Sequence, residues 1–157
     1  MSRLAVDFKR PTLADAEALA CTLRQADLDE LAAAGVSPSD ALRTGVERST
    51  LAAAVWDDEG LVALLGVAPL VESVLAPVGA PWMLGTDRVS KHARALVAVG
   101  PAYTRAMLDA YPRLMNVVHA KNTLHVRWLR RLGFRFRPHA IAAPKTGEPF
   151  LIFEMGV

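Results

Sequence analysis

Residues 61–67, LVALLGV, are apolar at every position. A strand of that kind hides both faces, so it belongs in the middle of a sheet covered by helices on each side. Residues 50–56, TLAAAVW, supply its partner strand, and Asp57-Asp58-Glu59-Gly60 reads as the hairpin turn between them. The apolar run ends at Val71, 11 residues with Pro69 inside it, whereas a bilayer span needs about 20. No membrane association is expected. Residues 1–10 show no basic-then-apolar leader, and the single cysteine, Cys21, excludes a disulfide framework and a cysteine-based zinc site. These features point to a soluble chain of intracellular origin. At 157 residues with 22% charged side chains it is long and apolar enough to bury a core.

The periodicity around this hairpin fills in the rest. Residues 4–9, LAVDFK, alternate as a half-buried strand does. Thr12, with Asp15 three residues on, caps a helix that the spacing predicts from Leu13 to about Ala33, ended by Gly35. Ser37-Pro38 opens a second helix ending near Glu47 or Arg48. Three prolines at 69, 77 and 81 predict a loop over 69–81, before a short buried strand at 82–85. Asp87 caps a helix over 88–98, Gly100-Pro101 interrupts it, and a further helix spans 101–111. Residues 114–120 read as a strand, 124–132 as a helix stopped by Gly133, 134–137 as a strand, 144–149 as a loop and 150–155 as the last strand. The expected fold class is α/β (α+β): a mixed central sheet of six to seven strands flanked by helices, in one domain over residues 1–157.

Charge is divided along the chain. Residues 12–72 hold 11 acids and 3 basic residues, while residues 88–146 hold 12 basic residues and one acid, Asp109. Such a split fits either a polyanionic partner, nucleic acid included, or two halves that pair with each other across the fold. Arg127, Arg130 and Arg131 share a helix face, and Arg135 and Arg137 alternate on the next strand. The four histidines, His92, His119, His125 and His139, show no i, i+4 pair, so no metal site is expected.

The run N-T-L-H-V-R-W-L-R-R-L-G-F (122–134), between two strands, resembles the C-terminal motif of the GNAT N-acetyltransferase fold. The stretches P-W-M-L-G-T-D-R-V-S-K-H-A-R (81–94), Y-P-R-L-M-N-V-V (111–118), 122–134 and P-F-L-I-F-E-M (149–155) lie in order over about half of the chain. They resemble a GNAT-like family of bacteriophages that includes an internal virion protein of short-tailed phages. The resemblance implies a GNAT fold, a place in the host cytoplasm during infection or in the virion, other virion proteins as partners, and acetyl-CoA as cofactor where activity is retained.

That chemistry makes three demands. An acetyl-CoA diphosphate needs free backbone N–H groups at a helix N-terminus. The nearest match to the family signature is Val97-Ala98-Val99-Gly100-Pro101-Ala102, where Gly100 and Ala102 are in place, Val97 replaces the leading Gln or Arg, and Pro101 removes one donor. With them, Met83, Leu84 and Asn122 are the residues the resemblance implies for cofactor binding. The departing thiolate needs a proton donor, which the family places seven residues after the Asn. That position is Leu129, and Tyr103 or Tyr111 would have to substitute. The acceptor ammonium needs a base. Glu47, Glu72, His92 and His119 are the candidates, Glu72 because it follows the central strand and His119 because it sits beside the expected cleft. Two functions are implied: a catalytically degenerate GNAT-like phage protein of virion assembly or the particle interior, or an acetyl-CoA-dependent N-acetyltransferase.

Overall fold

The computed structural model describes residues 6–156. Eight strands form one mixed sheet: β1 (Asp7–Lys9), β2 (Leu51–Asp57), β3 (Gly60–Val71), β4 (Val78–Gly85), β5 (Arg113–His119), β6 (Arg135–Phe136), β7 (Ile141–Ala142) and β8 (Pro149–Gly156). Five helices flank it: α1 (Leu13–Ala20), α2 (Gln25–Ala34), α3 (Pro38–Arg48), α4 (Ala93–Ala110) and α5 (Thr123–Arg131). The strand order is β1-β2-β3-β4-β5-β8-β6, with β7 also on β8. Every neighbouring pair is antiparallel except β4–β5.

β3 sits inside the sheet with both faces covered. Leu64 packs with Leu19, Leu42 and Leu84 under α1 and α3. Leu65 packs with Met83, Val89 and Leu96 under α4. A second cluster on the α4–α5 side joins Met107, Leu114, Val118, Leu129, Phe134 and Phe153. The hairpin turn falls at Asp57–Gly60, and Gly60 takes the positive φ (131°) that closes it. Thr12 and Asp15 form the reciprocal cap of α1, at 2.9 and 3.1 Å.

Four expectations are corrected. The helix over 13–33 is two helices, because residues 21–24 turn so that the Arg24 N–H can donate to Gly85 O, 2.9 Å away on the sheet. The loop over 69–81 is mostly strand. Pro69 and Pro81 are tolerated because β3 and β4 pair with each other there and Pro81 lies where β4 has no partner on its other edge. Gly100-Pro101 does not interrupt α4, which runs through both residues. The sheet has eight strands, the added one being β7 on the edge of β8. Residues 4 and 5 of the first expected strand lie outside the described residues, and 7–9 pair with β2.

Candidate functional site

β4 and β5 are parallel and pair only at Val78–Arg113 and Gly79–Leu114. Beyond that point they diverge into a wedge. A cavity of about 360 Å³ passes through it, with Pro81, Met83 and Leu84 of β4, Asn116 and Val117 of β5, and Gly100, Tyr103 and Leu129 of the α4–α5 layer among its lining residues.

Three devices hold the wedge. Near its root, Asn116 Nδ2 donates to Pro81 O across the gap (2.8 Å). At its open end, α2 acts as a polar strut. Gly85 N–H at the end of β4 donates to Asp27 Oδ2 (2.9 Å), and His119 N–H at the end of β5 donates to Glu30 Oε1 (2.5 Å). Asn122, 1% exposed, ties these together: its Oδ1 accepts from Arg24 Nη2 (2.7 Å) and its amide donates to Asp27 and Glu30 (3.3 and 3.4 Å). Arg24 in turn pairs with Asp27 at 2.9 Å. Between these ends, the groups of residues 81 and 85 point into the wedge, so strand alternation turns the Met83 N–H and C=O the same way.

Glu30 and His125 are the titratable groups of most interest on the cavity wall. Burial raises Glu30 to about 7, with the Asp27 charge adding to it against the His119, Asn122 and Arg24 contacts. Burial lowers His125 to about 4, against the pull of Asp27. His125 is therefore a neutral imidazole at pH 7. Its Nδ1 faces the Asn122 amide donor (3.3 Å), which leaves the proton on Nε2. That Nε2 is buried without a partner, as is Trp128 Nε1. Asp27, Glu30 and His125 bring ligand atoms within 4.8 Å of one another. The Asn122 amide donates into the middle of that group and the Arg24 guanidinium neutralises Asp27, so the space a cation would need is already supplied with positive charge. Tyr103 faces the cavity, its phenol pushed up to about 12 by burial and so fully protonated.

The sequence candidates fall in several places. Met83 and Leu84 line the cavity. Asn122 is spent in the strut network. Gly100 lines the cavity from the flank of α4, where a Cβ would collide with Leu132, and Ala102 is exposed on the outer face of the same helix. The helix N-terminus expected at Gly100–Ala102 lies instead at Ala93, after a 3-10 turn over Asp87–His92. That turn uses its own amides: Arg88 N–H donates to Thr86 Oγ1, Val89 N–H to Thr86 O, and Ala93 N–H to Ser90 O. Val89 fills the space against Gly85, and Asp87 adds a negative charge to the first turn. Leu129 occupies the cavity wall. Tyr111 bonds Thr50 Oγ1 at 2.6 Å and lies outside the cavity.

Glu72 is exposed and pairs with Arg48 at the rim (3.1 Å), and Glu47 is exposed on α3. His92 lies in a separate ion-pair cluster on Asp57 (2.9 Å), which Arg88 also holds (2.9 Å). His119 is buried with its ring against Phe150 and its Nε2 on Glu148 (3.2 Å). Sequence reasoning missed Arg24, Asp27, Glu30 and His125. The i, i+3 spacing of 24, 27 and 30 marks one helix face, but only the contact with residues nearly 100 positions away reveals its role.

No family model matches the chain, and no curated protein sequence does either. Solved structures do. The aminoglycoside N(6')acetyltransferase from Legionella pneumophila superposes with a TM-score of 0.69 at 13% identity, over 99% of this chain and 94% of that one. The GCN5-related N-acetyltransferase from Kribbella flavida gives 0.60 at 17% identity, over 98% of each chain. The chain has the GNAT fold. A third GNAT-fold neighbour, yncA from Salmonella typhimurium, was solved with its cofactor acetyl-CoA, and matches at 0.64 and 11% identity over 97% of this chain and 94% of that one. At these identities the GNAT likeness is one of architecture, and the chemistry has to be argued from the side chains. In this GNAT-fold chain the Met83 edge of β4 has no partner strand among the described residues, while the 3-10 turn bonds its Arg88, Val89 and Ala93 amides within itself.

Proposed function

We propose that this chain is a GNAT-fold bacteriophage protein that no longer performs ordinary acetyl-CoA catalysis and acts in virion assembly or inside the particle. One observation carries the loss of catalysis: the turn between β4 and α4 holds the Arg88, Val89 and Ala93 amides in bonds of its own, and Val89 packs against Gly85. Leu129 on the cavity wall agrees, since an alkyl group supplies no proton. The phage and virion assignment is supported by the four sequence stretches at 81–94, 111–118, 122–134 and 149–155.

The test is a thermal-shift titration with acetyl-CoA. A ligand at 1,000 times its Kd stabilises by about 4 kcal/mol, so micromolar binding would show clearly at millimolar ligand. The expected result is no shift, together with recovery of the chain from purified particles or assembly intermediates by mass spectrometry. A clear shift overturns the loss of cofactor binding, and absence from every particle fraction overturns the virion role.

A second reading is acetyl-CoA-dependent N-acetyl transfer to an amine, and Glu30 favours it. Its carboxyl lies on the cavity wall and is raised to about 7. Half-ionised at neutral pH, it can accept the proton of an ammonium group. Acetylation of an amine that disappears in Glu30→Gln, with acetyl-CoA affinity retained, would establish this reading.

A further inference from the structure

The three-dimensional pairing of charges decides between the two meanings of the divided sequence. Where the halves meet, Arg88 pairs with Asp57 and Glu59, and Lys91 with Glu59. Lys121 pairs with Glu148, and Arg113 and Arg137 share Glu154. Six arginines are left over: Arg94 and Arg105 on α4, Arg127, Arg130 and Arg131 on α5, and Arg135 on β6. All six are exposed, and none has a carboxylate within 4.0 Å among the described residues. Arg130 stacks over Phe136 at 5.1 Å, which holds its plane without neutralising it.

Five of the six belong to one layer; Arg135, registered opposite Glu154 and alternating with Phe136, faces the other side of the sheet. α4 and α5 lie side by side, with Ala93 and Leu96 facing Leu124 and Trp128 across a small void, and Gly100 against Leu132. Arg94 and Arg105 are 11 residues apart. That is about three turns of helix, so they project from the same side of α4, roughly 16 Å apart. The one acid in sequence between Arg88 and Thr146 is Asp109, at the far end of α4.

We propose that this α4–α5 face binds the phosphate backbone of double-stranded nucleic acid without reading its sequence. Three features select that partner. Every unpaired cation on this face is an arginine, whose planar fork matches two phosphate oxygens at once. The large exposed apolar side chains, Leu13, Val36, Leu70, Val71, Val74, Leu75, Val117 and Ile141, all lie on other elements, so this face lacks the apolar centre of a protein interface. Phe134 and Phe136 pack against Phe153 instead of standing free to stack on unpaired bases, which favours a duplex over a single strand.

The test is fluorescence anisotropy with a labelled DNA duplex of random sequence, over a series of salt concentrations. Binding is expected with a slope of log K against log salt between about −3.5 and −4.5, the value for four or five neutralised phosphates. Arg127→Glu with Arg131→Glu is expected to weaken binding at least about tenfold, while Arg10→Glu with Arg43→Glu changes it by less than about twofold. The two double variants alter net charge equally, and all four positions are exposed, so folding is retained. Equal losses in the two variants would mean that net charge alone attracts DNA, and would overturn the proposal. So would an absence of binding at low salt, or a polyglutamate of matched charge that competes for the chain as well as unlabelled duplex does.

Discussion

Glu30, on a helix, accepts the backbone N–H of His119, the last residue of β5, at 2.5 Å. A side-chain carboxylate thereby takes the place of a neighbouring strand where the sheet has parted. Asp27 does the same one turn earlier for Gly85 at the end of β4. The two acids let β4 and β5 diverge without leaving those strand ends unsatisfied, and Glu30, raised to about 7, makes the wedge sensitive to protons.

The first prediction follows from two opposed titrations. Glu30 rises from 4.5 to about 7, so between those values the folded chain holds a proton that the unfolded chain releases, and stability falls as pH rises. His125 drops from 6.5 to about 4, so between those values the unfolded chain takes up a proton the folded one refuses, and stability rises with pH. From pH 4.5 to 6.5 the two slopes oppose. Glu30→Gln should expose the rising limb, up to about 1.4 kcal/mol per pH unit. Urea midpoints measured across this range check it, and identical profiles for the variant and the parent would refute it.

Asp57 is shielded from solvent although it lies near the surface. Burial alone would raise its pKa, but hydrogen bonds from His92, Arg88 and the Glu59 N–H outweigh that and hold the carboxyl far below its usual range. A depressed folded pKa contributes stability above the unfolded value of 3.8 and loses it as pH falls further. Asp57→Asn should cost about 3 kcal/mol at neutral pH, because it strands Arg88 and His92, and much less near pH 2. Denaturant titrations at the two pH values measure the difference.

Gly100→Ala should destabilise the fold even though alanine is the better helix former by about 1 kcal/mol. The added methyl meets Leu132 Cδ2, and overpacking of that kind costs about 1–3 kcal/mol. Leu132→Ala in the same chain should recover most of the loss. Additive losses in the double-mutant cycle would show that the two side chains do not compete for that space.

Asn116→Ala removes the bridge to Pro81 O and the bond from the Val117 N–H to Asn116 Oδ1, at 2.8 Å each. A loss of about 1–2 kcal/mol is expected, together with faster amide exchange along the wedge-facing edge of β4. Unchanged protection at Gly85, whose N–H donates to Asp27 at the open end, would mean that the bridge does not hold the wedge closed.

Much of the architecture was legible because it depends on near neighbours. The hairpin at Asp57–Gly60, the reciprocal cap of Thr12 and Asp15, and the end of α5 before Gly133 are fixed by residues a few positions apart. So is the covered position of β3, which follows from a run of apolar side chains. The 122–134 motif carried the fold further than periodicity did. The break after α1 was not legible, since no glycine or proline marks residues 21–24, and the turn exists because the Arg24 backbone finds Gly85 on another element. Gly100-Pro101 misled in the other direction. A pair that usually ends a helix is kept inside one, because the absent side chain at 100 gives Leu132 its place.

The chain by itself determined where most strands and helices form, and that the basic residues gather late in the sequence, because these are properties of local pattern and composition. The tertiary structure alone decided that Arg24, Asp27, Glu30, Asn122 and His125 meet, and which arginines go unpaired. Each of those outcomes depends on groups brought together from distant parts of the chain. Burial and pairing of charge are set by that assembly, and no spacing along the sequence encodes them.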